Sequence, residues 1–266
     1  MGGGSMNYSN IKVVIEGDLA RVTLARGDKM NPLDWSTVKE LKAAVAEVEA
    51  SSARFVILTG EGRSFSAGGD LEGYLRLYRE PDEFRAFLDD FYHMLCGIEQ
   101  ARAIWIAAVN GGTVAGGLEL LLACDMAVAG ASAKIGDGHV NFGQLPGAGG
   151  SQRLPRAIGL LRAKHLMLTG ELLDAETSER WGLVTKVVPD AALIAAAETW
   201  ARELSSKSTV GLAGAKRLAN MTLDLPYQEG LQAEIAFVHD YATTEPDATE
   251  GLVAFKEKRP PRFKKD

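Results

Sequence analysis

Residues 104–129 read IWIAAVNGGTVAGGLELLLACDMAVA. The first six, Ile104–Val109, are apolar without a polar alternate, the pattern of a strand covered on both faces. A glycine-rich turn, an apolar helical segment and a further strand at Met126–Ala129 follow in order. Two buried strands joined through a helix make a βαβ unit, which sets parallel strands side by side through a right-handed crossover. Upstream the pattern recurs. Phe55–Leu58 is an unbroken apolar strand that stops at Thr59-Gly60-Glu61-Gly62, and a polar helical stretch from Pro81 to about Ala101 leads back into Ile104. The repetition predicts an α/β fold with a mostly parallel sheet.

At the start of the chain, Ile11–Glu16 and Leu19–Leu24 are joined by Gly17-Asp18, a hairpin turn sequence. Asn31-Pro32 reads as a helix N-cap followed by proline at the first helical position. The helix behind it carries Leu41, Val45 and Val48 on one face. A last strand is expected at Leu183–Val188, with only helical sequence after it, over about 191–205, 210–219, 228–241 and 248–258. The expected organisation is an appended linker at Met1–Ser5, a β/α core over 6–200 and a helical region over 201–266.

Of 266 residues, 46% are hydrophobic and 24% charged, which excludes a disordered or fibrous chain. The formal net charge of −6 disfavours a nucleic-acid partner, because phosphate backbones select basic surfaces. No apolar stretch reaches membrane-spanning length and no leader pattern opens the chain, so a soluble, cytoplasmic protein is expected. Cys96 and Cys124 sit in apolar runs away from histidines, and are expected to be buried reduced thiols rather than metal ligands.

Three glycine clusters remain: Ser66-Ala67-Gly68-Gly69-Asp70-Leu71, Asn110-Gly111-Gly112-Thr113-Val114-Ala115-Gly116-Gly117 and Pro146-Gly147-Ala148-Gly149-Gly150. None has the spacing of a nucleotide triphosphate loop or a dinucleotide fingerprint. The first two each follow a buried strand and precede a helix. A loop stripped of side chains there can serve tight turns and close packing alone. It can also present free backbone N–H groups, and two of these converging on one oxygen make an oxyanion hole.

The run Ile106-Ala-Ala-Val-Asn110-Gly111-x-x-x-Ala115-Gly116-Gly117-Leu-Glu119 through Cys124-Asp125 closely resembles the hallmark segment of the enoyl-CoA hydratase/isomerase (crotonase) superfamily. Phe65-Ser-Ala67-Gly-Gly69-Asp70-Leu71 resembles its other oxyanion loop, and Lys29-Met-Asn31-Pro-Leu33 its N-terminal coenzyme A loop. Pro146–Leu154 and Glu250–Arg259 also match, in family order, so the resemblance spans nearly the whole chain. It implies an α/β crotonase-like ββα-spiral core with a helical C-terminal trimerisation region. It also implies an acyl-CoA thioester substrate, no cofactor beyond the coenzyme A carried by that substrate, no metal, and a homotrimer or dimer of trimers.

By the same resemblance, the amides of Gly69 and Gly116 would hold the thioester oxygen, and the opening of the helix at Gly116 favours negative charge there. Backbone around Ala67, Asp70 and Leu71 would receive the adenine, with Lys29-Met30 closing over it. Lys258, in the basic run Lys256, Lys258, Arg259, Arg262, Lys264 and Lys265, would approach the ADP portion. Glu119 matches one of two catalytic glutamates. Among Leu118, Leu120 and Leu121 its carboxyl is expected to titrate high, as proton transfer near neutral pH needs.

The second glutamate of the pattern would lie four residues before Gly143, and this chain has His139 there. A histidine still exchanges protons at neutral pH. The substitution keeps isomerisation and carbon–carbon hydrolysis of a β-keto acyl-CoA beside hydration as readings. A diketone-hydrolase branch has a histidine near this place, but also an acid where this chain has Ala148. A non-catalytic acyl-CoA-binding protein is the rival of a different class. Tyr74, Tyr78, Phe84, Phe87, Phe91 and Tyr92 fall in the helical region that lines the acyl pocket of relatives, and their bulk hints at a bulky or cyclic acyl group. His93, His165 and His239 have no acid partner evident nearby in the sequence and are read as surface or packing residues.

Overall fold

In the computed structural model, which describes residues 7–264, the apolar strands stack as the repeated units of one spiral. Met1–Ser5, read above as a linker, and Lys265 of the basic run lie outside the described residues. The chain divides into two compact units, residues 1–199 and 200–266.

The first unit opens with β1 (Ile11–Glu16) and β2 (Leu19–Leu24), paired antiparallel as the Gly17-Asp18 turn requires. After α1 (Trp35–Ala50), the chain winds through three similar turns, each a longer strand followed by a short one. They are β3 (Phe55–Gly60) with β4 (Ser64–Ser66), β5 (Ile104–Val109) with β6 (Gly112–Val114), and β7 (Met126–Gly130) with β8 (Lys134–Gly136). Helices α2 (Leu71–Leu77) and α3 (Pro81–Gln100) lead from the first turn to the second, and α4 (Gly116–Leu122) from the second to the third. Helices α5 (Gly150–Ile158) and α6 (Leu160–Thr169), strand β9 (Leu173–Asp174), α7 (Ala175–Trp181) and β10 (Lys186–Val188) complete the spiral, and α8 (Leu193–Leu204) crosses the boundary between the units.

Long strands join long strands, in the order β1-β2-β3-β5-β7-β10, and short ones join short ones, in the order β4-β6-β8-β9. Apart from the β1–β2 and β8–β9 pairs, the ladders are parallel. All six residues of β5 are buried, as a strand covered on both faces demands. Asn110 fastens one turn to the previous one. Its Oδ1 accepts from the Gly60 amide at 3.0 Å, and its Nδ2 donates to the Gly62 oxygen at 3.0 Å. Trp105, Phe55, Phe65, Phe87 and Phe91 are the largest wholly buried side chains.

The structure revises several expectations. Asp34, not Asn31, caps α1, its Oδ1 accepting from the Thr37 amide at 2.8 Å. Asn31 stands at φ 54 and turns inward, donating from Nδ2 to the carbonyls of Glu61 and Ser64 at 3.0 and 2.8 Å, so loop–loop bonds win over a cap. The last strand spans only Lys186–Val188. Cys96 and Cys124 form no disulfide and are half-buried rather than buried. His165 does have an acid partner, Glu171, at 2.7 Å. In the second unit, α9 (Thr209–Asp224), α10 (Tyr227–Thr244) and α11 (Pro246–Glu257) run a turn or so beyond the expected helices at several ends. No helix of the described residues is long and apolar enough to cross a membrane.

Candidate active site

The two glycine loops touch. A β-carbon on Gly68 would stand 2.8 Å from the Val114 carbonyl oxygen and 3.0 Å from the Gly116 nitrogen, so only glycine permits this approach, and its φ of +86 independently favours glycine. Ala115 enters α4 at φ 53 and ψ −118, a conformation L-residues avoid, and is held there by its amide donating to the Asp137 carbonyl at 2.8 Å. The consequence is a pair of backbone donors on adjoining loops. Neither the Gly69 nor the Gly116 amide has a hydrogen-bond acceptor among the described residues.

Glu119 follows one turn into α4 and is buried at 2% exposure. Its Oε1 accepts from the amides of Ala148 and Gly150, at 2.9 and 2.7 Å, so the third glycine cluster exists here to grip a carboxylate. Arg153 braces that loop. It donates from Nη1 to the Ala148 carbonyl at 2.7 Å, and from Nε and Nη2 to both oxygens of Glu99, at 2.6 and 2.8 Å. Burial pushes the Glu119 carboxyl above its ordinary range, and the pull of the Gly150 amide, His139 and the Ala148 amide only partly opposes this.

His139 opens a short 3-10 turn, His139–Phe142, behind Gly138 at φ 65. Its Nδ1 lies 3.1 Å from Oδ1 of Asp137, a carboxylate only 1% exposed. With Nδ1 engaged, Nε2 is the ring nitrogen left to act. Glu119 and His139 line one cavity of about 360 Å³ with Tyr74, Phe84, Phe87 and Phe91. Tyr78 lines it too and donates its hydroxyl to Oε1 of Gln144 at the same cavity. Tyr92 does not: it packs edge-on against His93, with ring centroids 5.2 Å apart.

The residues expected at the coenzyme A loops are brought together in part. The Ala67 amide donates to the Met30 carbonyl at 2.9 Å, and the Leu33 amide to the Gly68 carbonyl at 2.8 Å, so the Lys29-Met30 segment does lie across the Ala67–Leu71 loop. The Asp70 carboxylate is spent on capping α2 through the Gly73 amide at 3.1 Å, which leaves main chain as the contribution of Asp70 and Leu71. Lys258 belongs to the second unit, where it ends α11 at φ 55. Asp137 and the Arg153–Glu99 pair were not picked out from the sequence. The contact of Asp137 with His139 depends on the left-handed turn at Gly138, which strand periodicity does not foretell. Arg153–Glu99 joins distant segments and leaves no local trace.

The enoyl-CoA hydratase/isomerase family model matches residues 15–266. Crotonyl-CoA hydratase of Syntrophomonas wolfei is 36% identical over 263 residues, covering 97% of this chain and 99% of that protein. (E)-benzylidenesuccinyl-CoA hydratase of Thauera aromatica is 35% identical, covering 96% and 98%. The crystal structure of an enoyl-CoA hydratase from Bacillus anthracis superposes with a TM-score of 0.89 at 34% identity, covering 97% of this chain and all of that one. A spiral of ββα turns with two open amides at its glycine loops, matched from end to end in sequence and in shape, leaves one assignment: this chain belongs to the enoyl-CoA hydratase/isomerase family.

Proposed function

We propose that the protein adds water across the double bond of a 2-enoyl-CoA through a thioester enolate. The carbonyl oxygen is received between the Gly69 and Gly116 amides, which are idle in the protein alone and worth most as charge develops on that oxygen. Glu119 takes a proton from water as its oxygen attacks Cβ, and the electron pair moves through Cα onto the carbonyl oxygen. His139, steadied at Nδ1 by Asp137, delivers a proton to Cα from Nε2 as the enolate collapses. The observation that carries this reading is a buried carboxylate fixed by two amides in the same cavity as a histidine. Backbone of Ala67, Asp70 and Leu71, with Lys29 and Met30, would bind the coenzyme A. No step calls on a metal or redox group. Homotrimeric assembly, or a dimer of trimers, is part of the same reading and is supported by exposed Tyr227, Ile235, Leu252 and Phe255 on α10 and α11.

The His139–Asp137 pair favours one alternative chemistry, proton shuffling on the same enolate to move the double bond. Incubation with short and aryl 2-enoyl-CoAs, followed by enoyl absorbance and mass, separates the two. Loss of absorbance with the mass of one water gained is hydration, and a mass-neutral change is isomerisation. An acyl-CoA complex that turns over neither these substrates nor a β-keto acyl-CoA would overturn both in favour of a binding protein.

A further inference from the structure

Tyr74 lies in the first turn of α2, a short way along the chain from Gly69. A β-carbon built on Gly69 would lie 2.3 Å from both Cε2 and the hydroxyl oxygen of Tyr74, so the phenol tip rests directly against the loop that offers the Gly69 amide. Its ring is held by three others. It stacks on Tyr78 at 5.8 Å and meets Phe84 and Phe87 edge-on at 6.5 and 5.7 Å. The hydroxyl borders the cavity and has no hydrogen-bond partner among the described residues. A hydroxyl held in place at a cavity and unspent on the protein is a donor open to a ligand. Burial first, and then the nearby carboxylate of Glu119, push its ionisation well above the ordinary phenol range, so the proton it would donate stays in place.

We propose that the Tyr74 hydroxyl is a third hydrogen-bond donor to the substrate's thioester oxygen, acting beside the Gly69 and Gly116 amides. The inference rests on the enolate reading above, and extends it by one side chain. The ionisable groups close enough to act on the hydroxyl are Glu119, Tyr78 and Asp70, and His139 lines the same cavity. A phenol there does what an amide pair cannot. Its O–H rotates to follow the oxygen as that atom gains charge, while the ring stays fixed.

Tyr74→Phe keeps the ring and removes only the oxygen. Two readouts are needed: steady-state hydration of a 2-enoyl-CoA, and a pH titration of bound acetoacetyl-CoA, whose enolate absorbs in the near ultraviolet and carries charge on the same oxygen. Loss of a hydrogen bond to a charged acceptor should lower kcat about 10- to 100-fold at nearly constant KM. It should also raise the pH at which bound acetoacetyl-CoA ionises by about one to two pH units. A variant with kcat within twofold of wild type, or faster, or one whose bound acetoacetyl-CoA ionises at the wild-type pH, overturns the proposal. Because acetoacetyl-CoA has only to bind, the titration still decides if the wild type hydrates no enoyl-CoA, a result that would remove the hydratase reading alone. Failure of the wild-type protein to form any enolate would overturn both.

Discussion

Glu119 carries two separable jobs, and replacing it two ways pulls them apart. Its Oε1 satisfies the Ala148 and Gly150 amides, while the carboxylate as a whole is the base assigned to water. Glu119→Gln leaves an oxygen to accept from both amides and sets an amide nitrogen in place of Oε2, so the loop stays and the base is lost. Turnover should fall by about 10²–10⁴-fold. Glu119→Ala loses the base equally, but also strands two buried N–H groups at about 1–3 kcal/mol each, roughly 2–6 kcal/mol together. For a unit of this size that corresponds to a Tm lower by something on the order of 5–20 °C. Enoyl absorbance gives the first quantity and thermal unfolding followed by circular dichroism the second. Two outcomes would refute the reasoning: turnover of the Gln variant within threefold of wild type, or an Ala variant as stable as the Gln variant.

The direction of the Glu119 ionisation makes a second expectation. A carboxyl raised by burial favours its neutral form in the fold, so its stabilising effect is full below the ordinary carboxylate range and is lost as pH rises through the raised value. The Gln variant should therefore gain stability relative to wild type between acidic and neutral pH, and the acidic limb of the wild-type kcat/KM profile should lie above the usual carboxylate range; denaturant midpoints and rates measured across pH test both. A third concerns the loop contact. Gly68→Ala forces a side chain into φ +86 and onto the Val114 oxygen and Gly116 nitrogen, which should cost about 1–3 kcal/mol in strain and displace the Gly116 amide. Equilibrium unfolding should show the loss, and an unchanged kcat with unchanged stability would contradict the packing described for these loops.

How much of this was readable in the chain follows from the range of the forces involved. The long strands announce themselves because burial on both faces selects apolar residues at every position, as in Ile104–Val109. The short strands β4, β6, β8 and β9 are two or three residues long, too brief for any period, and their pairing follows from the spiral rather than from their own residues. Glu119 was legible for a different reason: an acid in an apolar helical run is locally unfavourable, and such exceptions mark sites. Asn31 misled because a good capping residue is also a good cross-linker, and its two interior bonds to Glu61 and Ser64 outweigh a cap that Asp34 supplies three residues later. The glycine loops fall between these cases. Glycine at 68, 69, 116 and 117 says that the backbone must come close to something, but the sequence does not say to what. The meeting of Gly68 with Gly116, beside the parallel pairing of β4 with β6, is what brings the two loops and their open amides together. On the enolate reading proposed above, catalytic capacity is thus a property of strand register. A substitution in β4 or β6 that slips their pairing should disable the site as surely as loss of Glu119, while leaving every residue assigned to the chemistry in place.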